Sequence, residues 1–274
     1  MGNSARVVNR CLLVNVTESV NKVILMGSCG VLGKSHVRAL SQIKNLRLVI
    51  ADKPGSGVLE LAEEYSIFGI EVDCKDEKSI MNGIAKASTH LGGIDTAVYN
   101  SAITSEGLLL LEEEAFPDFI DYPLSLWNES ININLTGAFL FSREVGKIFC
   151  RQNSGNLIFV SSVYGVISPD HSIYENEGFN TFPGYAASKS GLIGLMKWLA
   201  TLWAAKNIRV NCISPGGVYN GQAESFVKKY SKRTPIGRMA KAEEISEVLV
   251  YLINSSPAYY TGQNLIVDGG LSAW

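Results

Sequence analysis

The stretch GYAASKSGL, residues 184–192, places Tyr185 and Lys189 four positions apart with small residues between them. On a helix these positions share one face, one turn apart, so a phenol and an ammonium would enter the same cleft. The chemistry that suits them is proton transfer to or from an oxygen. An isolated phenol titrates at about 10, and a neighbouring cation favours phenolate and lowers that value. The same spacing also fits an ordinary helix start with one surface lysine, so the pair needs partners. NLIFVSSVYG ends a β-branched run with Ser161 and Ser162, and a hydroxyl at Ser162 would polarise a substrate oxygen. WNESININLTGAF puts Asn134 in an otherwise apolar helical stretch, where it would hold a water linking Lys189 to solvent. Serine, tyrosine and lysine together suggest hydride transfer coupled to proton transfer at a carbonyl or secondary alcohol.

A hydride needs a carrier. MGSCGVLGK sets Gly27, Gly30 and Gly33 at GxxGxxG spacing, with Ser28, Val31 and Leu32 in the same turn, between a strand pattern and a helix pattern. Glycines there allow a tight turn and let the backbone approach a pyrophosphate seated on the helix N-terminus. Asp52, closing LRLVIAD, stands at the separation expected of a ribose-reading acid; as a bland alternative it is a turn residue. A carboxylate there accepts from both ribose hydroxyls and repels a 2′-phosphate, so NAD is expected in preference to NADP, although the neighbouring Lys53 could tolerate the phosphate. Asp73, next to Cys74 in VDCKDE, reads equally as an adenine contact and as a helix-capping acid.

The elements that must position these residues follow from periodicity. KVILMG, LRLVIAD, IFGIEVD, GIDTAVYN, GNLIFVSS, NIRVNCIS and QNLIVDGG are strand candidates, most of them nearly continuously apolar, as strands covered on both faces are. Helical patterns cover 32–43, 56–66, 76–91, 127–152, 185–205 and 241–254. This alternation predicts right-handed βαβ units and a parallel sheet of about seven strands with helices on both faces. With no internal repeat or linker, the expected organisation is one α/β doubly wound domain over 22–274, preceded by an extension, 1–21. Such sheets bind ligands at the carboxyl ends of their strands, and the residues singled out above lie there.

Composition narrows the classes. The chain has 274 residues, 46% of them hydrophobic, and a formal net charge of -2, so no global charge favours nucleic acid or an anionic membrane. Five cysteines without a CxxC pair and three dispersed histidines argue against a metal site and against a disulfide framework. A cytoplasmic protein with a small-molecule substrate is expected. CLLVNV, near the start, is too short to span a bilayer.

The ordered set GSCGVLG, Asp52, VDCKD, YNSA, NLTG, VSS, YAASK, NCISPGG, TPIGRM and TGQNLIVDGG resembles the short-chain dehydrogenase/reductase family over residues 22–274. The resemblance implies a Rossmann-type domain with Asn134, Ser162, Tyr185 and Lys189 as a catalytic tetrad. Tyr185 would be the proton carrier, and Lys189 would tune it and bind the nicotinamide ribose. It also implies that Asn100 and Ser101, and Pro215, Gly216 and Val218, line the cofactor, and that the chain forms a homotetramer or dimer. Three departures stand out: Met26 replaces a threonine, Val31 fills a glycine position, and Tyr99 replaces an asparagine.

Two segments, 103–126 and 164–184, are longer than the family norm and follow strand ends, where long loops tend to be lids or binding loops. His171, Tyr174, Glu175, Asn176 and Glu177 offer hydrogen-bonding groups and an aromatic face to a polyhydroxylated ligand. The second segment is similar to one in relatives attached to bacterial surface-sugar and flagellin-glycan pathways, which implies a sugar, aminosugar or nucleotide-sugar. Lys228, Lys229, Lys232 and Arg233 would meet the phosphates of a nucleotide-sugar or, alternatively, form the solvated face of an amphipathic helix. The competing functions are a keto-reductase acting on an acyl-thioester or simple alcohol, and a dinucleotide-binding protein without turnover.

Overall fold

The computed structural model describes residues 20–104, 118–177 and 180–274. Residues 1–19 of the expected extension lie outside these, as do parts of the two long segments (105–117 and 178–179). The first strand, β1, is Asn21–Met26, one residue ahead of the KVILMG pattern. The others are β2 Leu46–Asp52, β3 Phe68–Glu71, β4 Thr96–Tyr99, β5 Gly155–Val160, β6 Ile208–Pro215 and β7 Asn264–Val267. All seven coincide with the apolar runs of the sequence. They form one parallel sheet in the order β3-β2-β1-β4-β5-β6-β7. The chain winds outward from β1 to β3 and then crosses back to β4, which makes the β1/β4 boundary the switch point where a crevice opens.

Helices cover both faces because both faces are apolar. Ile24 and Met26 of β1 enter one core layer with Tyr99, Phe141, Phe159 and Met196. Their alternating neighbours Val23 and Leu25 enter the other, with Val37, Ile50, Ile158 and Leu249. The helices are α1 Val31–Ser41, α2 Val58–Glu64, α3 Glu77–Leu91, α4 Leu124–Ile131, α5 Gly137–Gln152, α6 Pro183–Trp203, α7 Glu224–Arg233 and α8 Ala242–Asn254. Among the described residues, no helix is long and apolar enough to cross a membrane.

One helix differs from its expectation. The pattern at 127–152 is not continuous: α4 and α5 are joined by a π-helical turn, Asn132–Thr136. The physical cause lies at Tyr99, whose buried phenol donates to the carbonyl of Ile133 at 2.5 Å. A Cβ on Gly137 would collide with that phenol oxygen and lie 2.8 Å from the Cys74 carbonyl. The residue that departs from the family pattern thus bonds to the widened turn itself, and Asn134 sits inside that turn. The seventh helix, α7, was weighed only as an amphipathic alternative; its Phe226 and Tyr230 point inward at i and i+4 while Lys228 and Lys232 are exposed.

Candidate active site

The nucleotide end is built by the turn after β1. Gly27 has φ +88°, and a Cβ on it would press into the backbone of Asn100 and Ser101, 2.8 Å from the Asn100 carbonyl carbon. Gly33 is packed as tightly against the Ser28 carbonyl, 2.5 Å from its carbon. Gly30 is the opposite case: a Cβ there would meet nothing, and the residue caps α1 without any side-chain acceptor for the helix N–H groups. The first and third glycines therefore bring strand and helix together, while the middle one leaves open backbone donors facing the cleft. These features fit a pyrophosphate. Asp52 ends β2 beside them. Its carboxylate accepts from the backbone N–H of Cys29 at 2.7 Å and of Lys53 at 2.8 Å, and its register partner on β3 is Glu71.

The catalytic end is built where β5 meets the first turn of α6. Tyr185 and Lys189 lie on one face of α6, as their spacing requires, with the Lys189 Nζ 5.6 Å from the centroid of the Tyr185 ring. Lys189 is buried, and its ammonium donates to the Val160 carbonyl at 2.8 Å. The Ser161 hydroxyl donates to the Lys189 carbonyl at 2.8 Å, clamping helix to strand. The Ser162 and Tyr185 hydroxyls are hydrogen-bonded to each other. Asn134, fully buried, accepts from the Ile103 N–H at 2.8 Å and donates to Ser188 Oγ at 3.1 Å, and Ser188 in turn donates to the Tyr185 carbonyl at 2.8 Å. Both ends of this amide are bonded to protein atoms, so the geometry makes it a brace for the Tyr185 turn.

Burial raises the Tyr185 phenol above its ordinary value, opposed by the hydrogen bond from Ser162; the lowering expected from Lys189 together with an oxidised nicotinamide concerns the cofactor-bound site. Burial also brings the Lys189 ammonium down to about 8. Both charged forms are disfavoured for the same reason, loss of water on burial, and the lysine's hydrogen bond goes to a carbonyl.

Between these ends lies a cleft of about 460 Å³. Of the residues expected there, Gly30, Val31, Leu32, Asn100, Ser162, Tyr185, Lys189, Pro215, Gly216 and Val218 line it. Gly27, Ser28, Gly33 and Ser101 lie beneath, as packing and turn residues; Asn100 Nδ2 donates to the Gly27 carbonyl at 2.6 Å. Asp73 and Cys74 are outside the lining. The Asp73 carboxylate folds its own turn by accepting from Lys75 N–H at 2.9 Å, and the helix cap is Asp76 instead. Cys74 points into the core, where burial pushes its thiol up to about 11.

The sequence reading missed most of the cleft's aromatic wall. Tyr164, Tyr174, Phe226, Tyr230 and Met239 line the cleft and, with Val163, Ile173 and Leu271, form a small core of their own. The Tyr164 and Tyr174 hydroxyls are 2.9 Å apart, and the Tyr230 phenol accepts from the Gly217 N–H at 2.5 Å. The available signal was the aromatic pair Phe226 and Tyr230 at helical spacing. Of the polar set on the inserted segment, only Tyr174 lines the cleft; His171, Glu175 and Asn176 are exposed. Lys229 pairs with Glu177 at 2.7 Å and Arg233 with Asp170, so these two cations are directed at the inserted segment and not at a ligand.

A family model described as enoyl-(acyl carrier protein) reductase matches residues 32–272. The chain is 31% identical over 259 residues to the post-translational flagellin modification protein A of Campylobacter coli, covering 91% of this chain and 98% of that one. It is 34% identical over 200 residues to a 3-oxoacyl-(acyl-carrier-protein) reductase of Thermotoga maritima, covering 72% and 73% of the two chains. Among solved structures, a short chain dehydrogenase from Leptospira borgpetersenii with bound NAD+ superposes with a TM-score of 0.79 at 28% identity, over 93% of this chain and 94% of that one.

Proposed function

We propose that this chain, which belongs to the short-chain dehydrogenase/reductase family and is an oxidoreductase, moves a hydride between NAD and a carbonyl or secondary alcohol on a sugar, aminosugar or nucleotide-sugar. The observation that carries the chemistry is the meeting of Tyr185, Ser162 and Lys189 at the end of β5, across the cleft from the open backbone of Gly30. A nicotinamide dinucleotide, when bound, supplies or accepts the hydride and, in its oxidised form, brings a positive charge to the site. Tyr185 moves the proton at the substrate oxygen, and Ser162 hydrogen-bonds that same oxygen. Lys189, held by Val160, keeps a cation near the phenol and the ribose. Asn134 positions the turn through Ser188.

Preference for NAD is supported by the paired carboxylates Asp52 and Glu71 at neighbouring strand ends, which disfavour a 2′-phosphate by like-charge repulsion. A sugar is supported by the hydroxyl pair of Tyr164 and Tyr174, the latter supplied by the inserted segment, and by the similarity to a flagellin modification protein. The same reading carries a cytoplasmic dimer or tetramer, for which Phe139 of α5 and Trp198 and Leu202 of α6 offer an exposed apolar face.

A second reading, a keto-reductase on acyl-thioesters, is favoured by the apolar part of the wall, Phe226, Met239 and Val163, and by the Thermotoga relative. The nicotinamide absorbance change separates the two on a panel of sugars, nucleotide-sugars, 3-oxoacyl thioesters and simple alcohols, run with NAD and NADP. Turnover of a sugar with NAD supports the first reading; turnover confined to acyl or simple carbonyl compounds replaces it with the second.

A further inference from the structure

We propose that Tyr174 selects the substrate: the inserted segment sets its hydroxyl against that of Tyr164 inside the cleft, and the pair, with the aromatic wall behind it, takes an uncharged sugar ring in preference to an anionic one. This deepens the functional reading above and rests on it.

Charge is the first argument. Among the described residues that line the cleft, Lys189 is the only one with a charged side chain, and its ammonium is bonded to Val160. Of the four cations that would have met a phosphate or carboxylate, Lys228 and Lys232 are exposed outside the lining and the other two are engaged elsewhere. Lys229 donates to the Glu177 carboxylate at 2.7 Å and the Glu175 carbonyl at 2.6 Å, and Arg233 pairs with Asp170. An anion in this wall would lose water without gaining a counter-charge, which is costly. A neutral ring brings hydroxyls that can be matched one by one.

Shape is the second. The Tyr174 and Phe226 rings are 5.4 Å apart and those of Phe226 and Tyr230 6.1 Å apart, so the two helical turns present one aromatic surface. A sugar ring has an apolar C–H face that packs on such a surface and an equatorial rim of hydroxyls that reaches the Tyr164–Tyr174 pair.

The third is how Tyr174 is held. It ends a short 3₁₀ turn, His171–Tyr174, capped by the Asp170 carboxylate, which accepts from the Ser172 N–H at 3.0 Å and pairs with Arg233. After the turn, the Glu177 side chain is only 3% exposed and accepts from Lys229 Nζ and from Ser225 Oγ, each at 2.7 Å. The segment is thus latched at both ends to α7, the helix that carries Phe226 and Tyr230. Glu177 and Lys229 are positioning residues for Tyr174.

The test is calorimetric binding of neutral hexoses and N-acetylhexosamines, and of uronic acids and nucleoside-diphosphate sugars, to the protein–NADH complex, with wild type, Tyr174→Phe, Glu177→Ala and Glu177→Gln. Neutral sugars are expected to bind wild type, and uronic acids at least roughly tenfold more weakly, with no gain from a nucleoside diphosphate. Tyr174→Phe is expected to weaken neutral sugars roughly tenfold, the loss of one hydrogen bond, with NADH affinity and Tm unchanged. Glu177→Ala should do the same, and Glu177→Gln, whose amide oxygen still accepts from Lys229 and whose NH2 can donate to the Ser225 hydroxyl, should retain most of the affinity. Sugar binding that Tyr174→Phe leaves untouched would overturn the selector role while the functional reading stands. Anionic sugars binding as tightly as neutral ones would overturn the uncharged ring. Turnover of 3-oxoacyl thioesters with no sugar bound would bring down the functional reading itself, and this proposal with it.

Discussion

The Lys189 ammonium lies 5.6 Å from the centroid of the Tyr185 ring and gives its hydrogen bond to the Val160 carbonyl at 2.8 Å. The lysine is thus held at a fixed position beside the ring that the strand end defines. Both groups pay the same desolvation: the phenol is raised and the ammonium brought down to about 8. Tyr185→Phe keeps the ring and removes the proton carrier. It is expected to lower kcat by about 10²–10⁴-fold with the dinucleotide Kd within about twofold of wild type. Near-normal turnover would remove Tyr185 from the proton-transfer step.

Gly30 and Gly33 separate binding from packing. A Cβ at Gly30 has no atom of the described residues within 4 Å, whereas one at Gly33 is forced into the Gly27 and Ser28 backbone. Gly30→Ala should leave Tm unchanged and weaken NAD binding roughly tenfold, because the methyl would occupy the approach to the α1 N-terminus. Gly33→Ala should lower stability by about 1–3 kcal/mol, read as a fall in Tm. If Gly30→Ala binds NAD normally, the pyrophosphate is held elsewhere.

Asp52 accepts from Cys29 and Lys53 and sits beside Glu71. Asp52→Ala should reduce the ratio of kcat/KM with NAD to that with NADP by about tenfold or more, equivalent to the loss of a charge-assisted hydrogen bond of roughly 1.5–3 kcal/mol. An unchanged ratio would mean that another residue reads the ribose.

His36 makes acid stability testable away from the active site. It is fully buried on α1, with Nδ1 2.8 Å from Ser246 Oγ on α8 and Nε2 without a hydrogen-bond partner among the described residues. Burial lowers its pKa from 6.5 to about 4. Between those values the unfolded chain binds more protons than the folded one, so stability falls as pH drops from 6.5 towards 4, by on the order of 3 kcal/mol from this group. His36→Gln should lack that slope in urea titrations over the same window; an identical slope in both proteins would assign the acid sensitivity to other groups.

Much of this protein was legible in its sequence. The seven apolar runs became the seven strands because parallel strands buried on both faces need little more than continuous β-branched residues. The Tyr185–Lys189 pair was legible because both belong to one helix, where a spacing of four fixes a shared face whatever surrounds it. The glycine turn was legible for a similar local reason, although only the structure separates the open Gly30 from the crowded Gly27 and Gly33.

What the tertiary structure decided is everything that depends on residues distant in the chain. Tyr99 meets Ile133 and Gly137 across two elements, and a π turn lies where the helical pattern read straight through. Lysines of α7 that looked free to bind phosphate are partly consumed by acids of the inserted segment, about fifty residues away, because opposite charges brought together in folding pair before any ligand arrives. The aromatic wall of the cleft is assembled from Tyr164, Tyr174, Phe226 and Tyr230, none of them marked by a motif. The direction of the Tyr185 shift belongs to this class too: the phenol is raised by burial, which only the packed fold creates.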